Sequence, residues 1–143
     1  MAGESLSDAV GLLEAFKVKY AELIKSVNYN VYAVEYKNSL KSLSRDFLYR
    51  AIDIVNRYLV VFVKMKRWNN ISSDEKKKIE DFYSILNTAV SKMSVNLETK
   101  ADCKPIKDAI ELLSHVAQNW PDLKAGLVKK ILPIQVQEIA SIV

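Results

Sequence analysis

His115 and Cys103 are the only histidine and the only cysteine of the chain, so they are the first places to look for chemistry. An imidazole can move protons near neutral pH, and a thiolate can attack as a nucleophile. On the helix that its neighbours predict, His115 lies about 180° from Ile106, opposite the apolar stripe, and is expected to face water. Cys103 stands beside Lys104, just ahead of a predicted helix start whose positive end favours a thiolate. The same position suits an inert connector thiol. One residue of each kind is too few for a zinc site or a disulfide framework, and no metal and no cofactor are expected.

Adjacent carboxylates occur at Asp74-Glu75 and Glu80-Asp81, around the run Lys76-Lys77-Lys78. Two-carboxylate hydrolysis needs acids that face each other across a cleft, which neighbours on one exposed helix cannot supply. This segment reads as a solvated face with intrahelical pairing. The sequence contains no Glu-x-x-His pair and none of the glycine-rich phosphate, HExxH or GxSxG motifs. Enzymatic activity is not expected.

Charge is more informative in its distribution than in its sum. The 143 residues carry a net charge of +4, but between Lys37 and Arg67 eight basic residues face two acidic ones, Asp46 and Asp53. Arg50, Arg57 and Lys64 are seven apart and line one helix edge, as phosphate-contacting side chains would. Asp46 and Asp53 each lie four residues ahead of an arginine, so an intrahelical ladder competes with that role at a few tenths of a kcal/mol per pair. Lys37, Lys41 and Arg45 have no acidic partner at that spacing. Together with Lys64, Lys66, Arg67 and Trp68, and with Tyr29, Tyr32, Tyr36 and Tyr49 nearby, they form the candidate binding set. Cations beside flat rings suit RNA or DNA, where bases stack and phosphates pair. They equally suit a protein interface, and solvated lysines over buried tyrosines would look the same.

The elements that must position these residues are helical. Three Gly and three Pro leave little material for turn-dense folds. After Ser5 and Ser7, either of which could cap a helix, Leu6, Val10, Leu13, Phe16, Tyr20, Leu23 and Val27 recur in steps of three and four. Gly11 inside that stripe should cost ~1 kcal/mol relative to Ala. Asn28 to Tyr36 has no clean period and is left open between loop, extended piece and helix start.

A second helix is predicted from about Ser44 to Trp68; were one straight helix to run through from Lys37, then Lys37, Lys41 and Arg45 would align with Ile52 and Leu59 and its first turns would project beyond the core. Its apolar face runs from Phe47 to Met65 and is so broad that the helix should be central in a bundle. Ser72 and Glu75 form a capping box ahead of a third helix with Ile79, Phe82, Leu86, Ala89 or Val90, and Met93, reaching Leu97 if it continues. Glu98 to Lys104 reads as a connector, and Pro105 suits the first turn of a fourth helix running to Trp120. Pro121 is expected to end that helix and open a short fifth through Leu132. Pro133 interrupts again before the tail from Ile134 to Val143.

The fold expected is therefore all-α: one domain over residues 1–143, five and at most six helices packed around the apolar second one. No secretion leader and no membrane span is expected, since Leu59 to Val63 is far short of the ~20 residues a span needs. A soluble protein of a reducing, cytoplasmic compartment fits the cysteine usage. The function expected is a non-enzymatic interaction or assembly subunit, with a protein partner or self-association. The alternative is nucleic-acid binding through the 37–68 segment.

Overall fold

The computed structural model describes residues 4–26, 34–94 and 103–142, and among them it is all helix and turn, with no strand. The elements are α1 (Leu6–Ser26), α2 (Val34–Leu43), a π-helical turn (Ser44–Leu48), α3 (Tyr49–Met65), α4 (Ser73–Met93), α5 (Lys104–Val128) and α6 (Pro133–Glu138). Val27, Tyr29, Tyr32, Leu97 and most of the predicted 98–104 connector lie outside the described residues.

Four long helices make an up-down-up-down bundle in the cyclic order α1, α3, α4, α5. Their directions follow from paired side chains. Glu4 meets Arg57 at 3.6 Å while Lys19 lies 5.9 Å over the Phe47 ring, so α1 runs against α3. Lys130 meets Glu75 at one end of the bundle and Lys92 meets Asp108 at the other, so α4 runs against α5. Phe62 of α3 occupies the centre. Its ring lies 5.0 Å from Trp120 across the diagonal, 6.1 Å from Tyr58 and 6.3 Å from Phe82. Phe62 of the second predicted helix fills the centre, but α3 is one of four sides of the bundle, and its Tyr49 and Val60 stay exposed.

Two helix starts are capped reciprocally. Ser5 Oγ accepts from the Asp8 N–H at 3.1 Å and the Asp8 carboxylate accepts from the Ser5 N–H at 2.8 Å. Ser72 and Glu75 do the same at 3.1 and 2.8 Å, as their spacing predicts.

Two boundaries differ from expectation. The second helix does not start near Ser44: the chain is already helical from Val34 and passes through the π turn without a break, since Leu43 and Tyr49 are both right-handed helical. The buried residues Tyr36, Leu40, Ser44 and Leu48 are four apart. On a regular α-helix that spacing drifts about 40° per step, and the wider turn absorbs the drift so that all four stay on one side. Nor does Pro121 end the fourth helix, since α5 continues through it. An interior proline costs about 3 kcal/mol. Burial of Trp120 before it and of Leu123 and Leu127 after it holds the helix together.

Candidate functional site

The last ten described residues are tied to the α3–α4 junction by polar groups. Leu132 is extended because a proline follows it, and Pro133 opens α6. Gln135 Oε1 accepts from the Leu132 N–H and from Asn70 Nδ2, both at 2.8 Å, and Gln135 Nε2 donates to Asn70 Oδ1 at 2.9 Å. The Trp68 indole N–H donates to Glu138 at 3.2 Å, and the Lys130 ammonium lies 2.6 Å from Glu75. Burial alone would raise the Glu75 carboxyl. The Lys130 ammonium and the Ser72 N–H and hydroxyl outweigh it and hold the group below its usual range.

This docking turns the usual pattern of α6 inside out. Gln135 is 8% exposed, whereas Leu132 and Ile134 are 56% and 63% exposed, and Val136 and Val128 also face outward. Buried polar side chains need partners, and Asn70 supplies them to Gln135. What remains outside is an apolar corner at the end of α5.

Two grooves flank α5. One, of about 500 Å³, lies between the start of α1 and the second half of α5; Leu6, Trp120, Pro121, Ala125 and Val128 line it, and Lys124 is its one charged lining residue. Val128, exposed at the end of α5, also lines this groove. The other, of about 540 Å³, lies between α4 and α5 over Phe82, Ile85 and Leu123, with Glu75, Lys78, Asp81, His115, Asn119 and Asp122 around it. His115 is exposed, as expected, and its carbonyl accepts from the Asn119 amide at 2.7 Å. Cys103 is half-buried in the residue before α5. Among the described residues no group of His, Cys, Asp and Glu side chains could hold a metal ion. No helix there is long and apolar enough to cross a membrane.

The basic candidate set is split. Lys37 and Lys41 lie on α2 and Arg45 on the π turn, all three exposed; Lys64, Lys66, Arg67 and Trp68 lie at the far end of α3. At 1.5 Å per residue, about 30 Å of helix separates Arg45 from Lys64. Lys66 is half-buried with its ammonium 4.4 Å from the Tyr83 ring centre, and Trp68 is 7% exposed. Lys37, Lys41, Arg45, Lys64 and Arg67 present charge to water, but Trp68 is spent on the fold.

The predicted arginine ladder is replaced. Glu4, from the start of α1, lies 3.9 Å from Arg50 and 3.6 Å from Arg57, while Asp46 pairs with its neighbour Arg45 at 3.3 Å. No ion pair joins Asp46 to Arg50 or Asp53 to Arg57 among the described residues. A carboxylate presented from another helix can lie between two arginines seven apart, which neither intrahelical acid can do.

The sequence is apolar toward its C-terminus, one reason to expect an interaction subunit, but neither the groove nor which of those side chains stay exposed is legible there. The available signal was Leu132, Ile134 and Val136 beside Gln135 and Gln137, an alternation that cannot fill one helix face. No protein-family model matches the chain, and neither a curated protein nor a solved structure matches it.

Proposed function

We propose that this chain is a non-enzymatic interaction subunit that meets another protein, or another copy of itself, through the apolar corner at Val128–Val136. One observation carries the reading: α6 buries Gln135 and leaves Leu132, Ile134 and Val136 in solvent. Exposed single aliphatics are ordinary, but several within nine residues beside an apolar groove are the composition of a contact surface. Ile134→Glu tests it, because the position is exposed and the change leaves the core intact. Light scattering of the purified chain and affinity capture should show an assembly or a bound protein with the wild type and its loss in the variant. A strict monomer that captures nothing, with the variant indistinguishable, overturns the reading.

A second reading, nucleic-acid binding, is supported by Lys37 and Lys41, which are exposed on α2 and form no ion pair among the described residues. Mobility shifts that weaken as salt rises, with a salt slope reduced by about one in Lys41→Ala, would favour it. No shift at low salt would remove it.

A further inference from the structure

We infer that the groove between the start of α1 and the second half of α5 receives an acidic amphipathic helix of a partner protein. The inference rests on the interaction reading and adds the partner's chemistry. Its floor is apolar, formed by Leu6, Trp120, Pro121, Ala125 and Val128, and Lys124 is the only charge among its lining residues.

The charge among the lining residues has one sign. The two carboxylates at the start of α1 are already occupied, Glu4 between Arg50 and Arg57 and Asp8 on the Ser5 N–H. The lysine of the groove is not. Lys124 makes one long contact, 3.5 Å to the Ile142 carbonyl, which leaves an ammonium with donors to spare. An apolar floor with the Lys124 ammonium at its edge is complementary to apolar side chains flanked by carboxylates.

Shape selects a helix over a lipid surface. The groove is concave, and a flat bilayer would leave its floor uncovered. Ala117, Pro121 and Ala125 follow at four-residue spacing along α5, where bulkier side chains would raise a ridge. That row is about 12 Å long, enough for anchors at i, i+3 or i+4, and i+7 of a docked helix.

The test is a display library of helical peptides selected against the full chain. Two exposed or half-exposed positions of α5 supply the variants: Ala125→Gln obstructs the groove without changing charge, and Lys124→Glu reverses its edge. Selected peptides should carry apolar residues at helical spacing and more Asp and Glu than Lys and Arg on the flanks. The best should bind wild type at least tenfold more tightly than Ala125→Gln and severalfold more tightly than Lys124→Glu. Basic or neutral winners overturn the inference, as do winners indifferent to Ala125→Gln. Binding to phosphatidylglycerol vesicles in place of any peptide overturns it too. If the groove variants are without effect while Ile134→Glu still abolishes assembly, this inference fails and the interaction reading stands. If Ile134→Glu is silent as well, both fail.

Discussion

The two grooves beside α5 have nearly the same size and opposite chemistry. On the α4 side, Phe82, Ile85 and Leu123 are overhung by carboxylates, a lysine, an amide and the only histidine, groups that water solvates well. On the α1 side the floor is similarly apolar but Lys124 is the one charged lining residue. One helix thus shows that a depression alone carries little functional information. What separates the two is whether apolar surface is shielded by solvated side chains or left open.

The largest test of that contrast is Trp120→Ala. The ring is 1% exposed, packs 5.0 Å from Phe62 and forms the floor of the open groove, so its removal should cost about 3–5 kcal/mol in urea denaturation. It should deepen the α1-side groove and leave His115 and its neighbours unchanged. A loss below about 1 kcal/mol would mean that this floor is not part of the core.

Glu75 on the opposite side gives a smaller effect with a pH signature. Its carboxyl is held below the usual range, so its ionised form contributes stability that is fully present above the unfolded-state value near 4.3 and is lost as pH falls through the lower folded value. Glu75→Gln should therefore cost about 1 kcal/mol at pH 7 and converge on wild type in acid. A cost independent of pH would show that Lys130 does not sense the charge. The smallest effect is Gly126→Ala in the same groove. A Cβ there meets nothing within 4 Å, so the variant should gain about 0.5 kcal/mol in thermal or urea denaturation from helix propensity. Peptide binding on the other face should be unaltered.

Much of the fold was legible because it depends on local spacing. The Ser72–Glu75 box, Pro105 at the start of α5 and the stripe from Leu6 to Leu23 are rules about neighbours on one helix, and the structure follows them. Features that depend on distant chain did not declare themselves. The burial of Tyr36, Leu40 and Ser44 at intervals of four departs from an α-helical period, which is why the start of the second helix was misplaced. Pro121 breaks an isolated helix, and only burial on both sides of it reverses that preference. Glu4 reaches arginines some fifty residues away, and Gln135 finds Asn70 across 65 positions. The basic residues were visible by type, but their division between two ends of the bundle was not.

The clasp between Asn70 and Gln135 also sets an order of events. When a ribosome has made Trp68, Asn70 and Glu75, the groups that will seal them are still unsynthesised, and at about 5–20 residues per second they follow some seconds later. Until then the Trp68 indole and the Asn70 amide lack the partners they have in the folded protein. This junction can be sealed only after α1 to α5 have all been made, and the outward set of Leu132, Ile134 and Val136 that accompanies the burial of Gln135 comes no earlier.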